Sequence, residues 1–135
     1  MNRRGFSLIE LLVVLAISST LVVIVGPLGY QSIERVKKQT ELVALQRWYD
    51  RMGYKAFIRG HSVTLDLVDE ERLTAVSRAF GVVGERKIAD IFPIGDPIVF
   101  SSSGIPSRNK LLLKDASGRS YEIAVAGALS VRSGY

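Results

Sequence analysis

The chain is 135 residues long, 47% apolar and 23% charged, which allows one small domain and excludes disorder throughout. It has no cysteine and a single histidine, His61, so a disulfide framework, a thiolate metal site and a multi-histidine centre within one chain are all excluded. The net charge of +5 points first to nucleic acid, but Arg3 and Arg4 supply two of those charges beside a long apolar run.

That run, from Phe6 to Gly29, contains one ionisable side chain, Glu10. As a helix rising ~1.5 Å per residue it covers about 36 Å, enough to cross a hydrocarbon core of roughly 30 Å. A cleaved secretory signal would be shorter and would end at a small-residue site before polar chain. Here Ala16, Ser18 and Ser19 lead straight into further apolar sequence, Leu21 to Val25. The basic residues Arg3 and Arg4 precede the run and the next is Arg35, so the positive-inside rule keeps the first few residues in the cytoplasm and exports the remainder. The pattern is that of a membrane-inserted protein with a small exported domain, and it disfavours most enzyme classes.

Glu10 is the anomaly of the run. A carboxylate near mid-membrane costs about 2.5–3.5 kcal/mol on insertion scales, less near the interface. Four residues from the polar flank it could reach back to headgroups; a functional role requires a partner charge at the same depth. A free amine at the end of a neighbouring helix would serve, provided the chain began near Phe6, and a pair across subunits would fix the axial register of the two helices. Further along, Pro27 follows Gly26. Proline lacks an amide donor and crowds the carbonyl four residues back, so either the helix stops at Val25 or it continues with a kink near Val22–Val23. The kinked continuation is the expectation, because amphipathic sequence resumes at once.

The stretch Arg4-Gly5-Phe6-Ser7-Leu8-Ile9-Glu10-Leu11-Leu12-Val13-Val14-Leu15-Ala16-Ile17 closely resembles the N-terminus of type IV prepilins, shared by pilins and by the pseudopilins of type II secretion. The resemblance implies that a membrane peptidase cuts after Gly5 on the cytoplasmic side and methylates the new amino terminus at Phe6. It also makes Glu10 the carboxylate that takes part in assembly, and it supports a proline at the depth of Pro27. Glycine before the cut suits that chemistry, since an active site can approach its backbone closely.

From Gln31 to about Arg51 the pattern is helical, with Leu42, Leu45, Tyr49 and Met52 recurring at steps of three and four and Ile33, Val36 and Val43 on or beside the same stripe. Arg35, Lys37, Lys38, Glu41, Arg47 and Asp50 occupy the other faces, and Gly53 is the expected C-cap. His61 opens a strand in which Val63, Leu65 and Leu67 alternate with Ser62, Thr64 and Asp66. Residues 69–80 read either as a short helix capped by Asp69 or as a turn into a strand at Arg72–Val76, with the strand preferred. Pro97–Phe100 is a short strand. Lys110–Lys114 and Ser120–Val125 flank the turn sequence Asp115-Ala-Ser-Gly118 as a hairpin, and a last strand is expected at Ala128–Arg132.

Helix first and strands after give an α+β fold: a long N-terminal helix, membrane-spanning in its first half and amphipathic in its second, packed on a small antiparallel β-sheet. The organisation expected is a leader at 1–5, a transmembrane assembly helix at 6–29, a helical stem at 30–53 and an exported β-rich domain at 54–135. The C-terminal third, with a strand and Ser-Gly element ending at Gly104, the Lys114-Asp115-x-x-Gly118 hairpin and a final strand after Gly127, is similar to H-type minor pseudopilins and related minor pilins. That resemblance implies a minor subunit of a type II secretion filament, or alternatively a minor type IV pilin that primes assembly or binds DNA. Its partners would be the prepilin peptidase and methyltransferase, other pilins or pseudopilins, the inner-membrane assembly platform and the bilayer.

No catalytic residue, metal site or cofactor is expected. Ser101–Gly104 lacks the Gly-x-Ser-x-Gly elbow and reads as a turn. Asp69, Glu70 and Glu71 lack the ligand spacing and terminal glutamate of a calcium loop. Gly81-Val-Val-Gly84 has no lysine to make it a phosphate loop. Nucleic acid is disfavoured as a partner: Lys37, Lys38, Arg47, Arg51, Lys55 and Arg59, and in the C-terminal half Arg108, Lys110, Lys114, Arg119 and Arg132, are interspersed with acids. A membrane-anchored binding domain that never polymerises would have no use for the peptidase motif.

Overall fold

The computed structural model describes residues 5–127. They fall into two compact units whose boundary lies between Glu41 and Leu42, inside the single long helix α1 (Leu8–Arg59). In the first unit the described residues are almost all helix, and through Leu28 its large apolar side chains are exposed. Hydroxyls within it turn inward to their own backbone: Ser19 Oγ donates to the Leu15 carbonyl at 2.7 Å and Thr20 Oγ1 to that of Ala16 at 2.7 Å, which satisfies them without water. The helix runs through Pro27 rather than stopping at Val25. Proline removes the amide that the Val23 carbonyl would accept, and the turns on either side carry the helix across.

In the second unit α1 becomes one-sided. Leu45, Trp48, Tyr49, Met52, Gly53 and Ala56 are buried, at the three- and four-residue steps of a single face. Ile33, Val36 and Val43 remain 56%, 64% and 43% exposed, so the covered stripe begins only at Leu42. Gly53 is not the C-cap; it lies inside the helix, which ends six residues later. The terminator is Gly60, with φ of 66°, donating its N–H to the Phe57 carbonyl at 3.2 Å while the His61 N–H reaches the Ala56 carbonyl at 3.3 Å. Those two bonds form a Schellman motif, which uses glycine's tolerance of the left-handed region.

Seven strands follow: β1 (Val63–Asp69), β2 (Arg72–Ser77), β3 (Gly81–Lys87), β4 (Ile91–Ile94), β5 (Ile98–Phe100), β6 (Lys110–Asp115) and β7 (Ser120–Ala124). They make two antiparallel sheets rather than one, ordered β3-β2-β1-β5 and β4-β6-β7. The strand reading of residues 72–76 is borne out as β2, paired with β1 so that Leu65 faces Ala75 and Leu67 faces Leu73. The strands β3 and β4 had no sequence expectation. The strand expected at Ala128–Arg132 lies outside the described residues.

Between β2 and β3 the register shifts: Ala75 pairs with Gly84 and Val76 with Val82, leaving Val83 as the extra residue of a bulge. The Val83 carbonyl accepts a hydrogen bond from Lys55 Nζ at 3.0 Å. At the far hairpin Asp115 is buried and collects the turn: its carboxylate accepts from Ser117 Oγ at 2.6 Å, the Arg119 amide at 2.9 Å and Tyr121 OH at 3.0 Å.

One core serves both sheets. Leu45, Tyr49 and Met52 of the helix, Leu65 and Leu73 of the first sheet, and Ile91 and Leu113 of the second belong to a single cluster. The tightest contact is where α1 crosses the end of that cluster. A Cβ on Gly53 would lie 2.6 Å from the Gly127 Cα and 2.7 Å from Phe100 Cε1, and one on Gly127 would collide with the Gly104 carbonyl and the Phe100 ring. Beside it Asp50 Oδ1 accepts the amides of both Ala126 and Gly127 at 2.9 Å, tying the descending chain to the helix.

Gly53→Ala sets a gain in helix propensity of roughly 1 kcal/mol against overpacking of roughly 1–3 kcal/mol. The neighbour here is backbone, which cannot turn aside, so overpacking wins. A net loss of up to about 2 kcal/mol is expected in denaturant unfolding of the full chain in detergent. A second expectation concerns pH. Burial pushes the Tyr49 phenol above its ordinary range, and the Asp66 carboxylate adds to the rise. The unfolded phenol releases its proton near pH ~10 while the folded one keeps it, so the folded state binds more protons and stability falls as pH rises beyond about 10. Tyr49→Phe should flatten that fall when unfolding curves at roughly pH 9 and pH 11 are compared.

Candidate functional site

The sequence singles out Gly5, Phe6, Glu10 and Pro27, and the structure places all four on or just before α1. Gly5 and Phe6 precede the helix as exposed chain, Phe6 at 80% exposure, and a Cβ on Gly5 would meet nothing within 4 Å among the described residues. Helical hydrogen bonding begins one residue later, with the Leu11 N–H donating to the Ser7 carbonyl at 3.2 Å.

Ser7 was the residue that sequence reasoning passed over. Its Oγ accepts from the Glu10 amide at 3.2 Å, and its own amide donates to Glu10 Oε2 at 3.2 Å. Ser7 is thus the N-cap and Glu10 the third helical residue of a capping box, which answers two of the unsatisfied amides at the start of the helix. The signal was legible as Ser-x-x-Glu before an apolar run. A carboxylate in the first turn also lies at the positive end of the helix dipole. Glu10 therefore has a local partner, rather than only the headgroups or a second chain.

Just before Pro27, Leu21, Val22, Val25 and Gly26 line a shallow apolar groove. A side chain at Gly26 would meet nothing within 4 Å, so that glycine opens the helix surface rather than accommodating a contact within the chain. Among the described residues, α1 is the one helix long and apolar enough to cross a membrane.

The other residues weighed in the sequence have structural surroundings. Ser101 and Ser103 hydroxyls lie 2.8 Å apart, and the Ser101 Oγ accepts the Ile105 amide at 3.2 Å, inside a turn that ends at Gly104 with φ of 76°. Asp69, Glu70 and Glu71 line an open concavity with Arg72, Glu85 and Lys87, and Glu71 pairs with Lys87 at 3.6 Å. No group of three or more metal-ligating side chains occurs among the described residues. His61 follows the helix cap and meets Phe80 edge-on at 5.2 Å, with the Arg59 guanidinium 5.3 Å from the same ring. Gly81 and Gly84 belong to β3, where Gly84 leaves room for Met52 Sδ. Several of the basic residues have internal partners: Lys55 at Val83, Arg108 at the Asp96 carbonyl and Lys110 at Glu122, 2.7 Å away. Arg132 lies outside the described residues.

Residues 1–26 match the family model of the prokaryotic N-terminal methylation motif. Motif, apolar helix and helix-on-sheet architecture together fit a type IV pilin-like chain, and the motif supports the family that includes pilins and pseudopilins. The motif implies processing by the prepilin peptidase and assembly with other pilins, and with the apolar helix it fits a protein anchored in the inner membrane. Neither the curated proteins nor the solved structures give a match.

Proposed function

We propose that the chain is a minor pseudopilin of a type II secretion system, a structural subunit that is cut between Gly5 and Phe6, methylated on the Phe6 amine, and built into a short envelope filament. The observation that carries the reading is the joining of the methylation motif to an apolar run, Phe6 to Gly29, whose one charge, Glu10, stands one turn from the proposed cut. Cutting on the cytoplasmic side leaves the whole apolar helix in the mature protein. It also creates a cation at Phe6 that a neighbouring subunit's Glu10 can meet, and a paired carboxylate specifies register where an unpaired one is penalised. The finer assignment draws on the C-terminal third, whose elements resemble those of H-type subunits: Phe100, just before the Ser-Gly turn, and Gly127 pack on the helix at Gly53, and the turn's Gly104 carbonyl lies against Gly127.

Intact mass of the protein purified from membranes, with and without the peptidase, tests this reading. Loss of the first five residues and gain of one methyl group, only when the peptidase is present, is expected. Retention of Arg3 and Arg4 beside an active peptidase overturns it. Glu10→Ala chains should be processed but excluded from filaments; entry equal to wild type removes Glu10 from assembly. Co-purification with secretion components, rather than with a pilus, separates the minor pseudopilin from a minor type IV pilin.

A further inference from the structure

We infer that Arg86 is a receptor for a carboxylate from outside its own subunit, and that Glu34 on the stem of a second copy supplies it. The inference rests on the reading of the chain as an assembly subunit. Its own observation is an orphaned donor: Arg86 Nε is buried and has no hydrogen-bond partner among the described residues. Arg86 lies in β3 directly across from Leu73, and Leu73 lies across from Leu67. Residues opposite one another share a face of the sheet; Leu73 is buried and Leu67 packs on the core. The half-buried Arg86 side chain therefore leaves β3, the edge strand, on its core-facing side. Its charge cannot be shed, because a guanidinium stays protonated.

A buried donor without an acceptor is costly, and the Nε edge of a guanidinium fits a carboxylate through two parallel bonds. Within the subunit, Glu71, Asp96 and Glu122 have their own cations, while Asp50 and Asp115 hold backbone amides. Glu85 is adjacent in sequence and so stands on the opposite face of the strand. Glu34 is different. It is exposed, it has no ion pair among the described residues, and it follows the apolar run with Tyr30, Ile33 and Val36 exposed around it. Those apolar side chains gain from cover by another chain, and the acid among them needs a cation. The stem segment and the β3 margin thus complement one another in charge, which selects the partner and its register. The two patches differ, so the contact is head-to-tail. Each copy offers its stem to one neighbour and its β3 margin to another, and such contacts propagate.

The chain has no cysteine, so introduced ones report alone. Lys37→Cys, one turn from Glu34, and Lys87→Cys, next to Arg86, leave the pair itself intact. Full-length chains with these substitutions, each carrying a different tag, are produced together and their membranes are treated with a short bismaleimide. A dimer bearing both tags is expected, in excess of either same-tag dimer. Its absence, or same-tag dimers in equal yield, overturns the inference. Placing Glu34→Arg in both chains, at an exposed position outside the core, should lower the mixed dimer about tenfold or more, and Arg86→Glu in both should do the same. The two reversals together should restore the yield to within about twofold. A yield unmoved by Glu34→Arg, or no return with both reversals, overturns the pairing. Retention of Arg3 and Arg4 beside an active peptidase overturns the filament reading instead. The mixed dimer between anchored copies then still judges the pair, so the two failures are distinguishable.

Discussion

One helix carries two kinds of surface, apolar all round at its start and one-sided further on, and each unit is built on its own part of it. Through Leu28 the side chains of α1 are apolar on all sides and uncovered, which is stable only where the surroundings are apolar too. From Leu42 onward the same helix meets water and must bury one face. The change is made without breaking the backbone: Pro27 interrupts the ladder locally, and the turns around it hold. A helix that stopped at Val25 would have to satisfy a set of free carbonyls at that end.

The second unit solves a different problem, how a helix can sit close on sheets that are themselves small. Glycine supplies the answer at three places. Gly53 admits the Phe100 ring and the Gly127 backbone, Gly84 admits the Met52 sulfur, and Gly127 lies against the Gly104 carbonyl. Asp50 then binds the amides of Ala126 and Gly127, so the last described stretch of chain is held by charge as well as by shape. The two sheets are joined less by hydrogen bonding to each other than by sharing the apolar face of the stem.

How much of this was legible in the sequence follows from what each element needs. The apolar run, the alternation from Val63 to Leu67 and the Asp115–Gly118 turn are local signals, and each fell where expected. The edge strands were not legible. Within β3, Gly81, Gly84 and three charged residues obscure any alternation, because the strand pairs only with β2 and its glycine serves the helix above it. In β4, Pro93 argues against a strand, yet an edge position tolerates a missing amide. Gly53 was misread because a glycine near a helix end and a glycine beneath an aromatic ring look alike until the partner, 74 residues later at Gly127, is known. At the N-terminus the motif that contains Gly5, Phe6 and Glu10 was legible by pattern; the cap at Ser7 was hidden only by its ordinariness.

The bulge at Val83 bears on how copies of this protein meet. A regular free strand at the margin of a sheet is a template on which another chain can grow, and proteins concentrated in an envelope are exposed to that hazard. In β3 the extra residue breaks the repeat of donors and acceptors, and the Val83 carbonyl is already occupied by Lys55. The margin is thus a poor template for runaway strand addition.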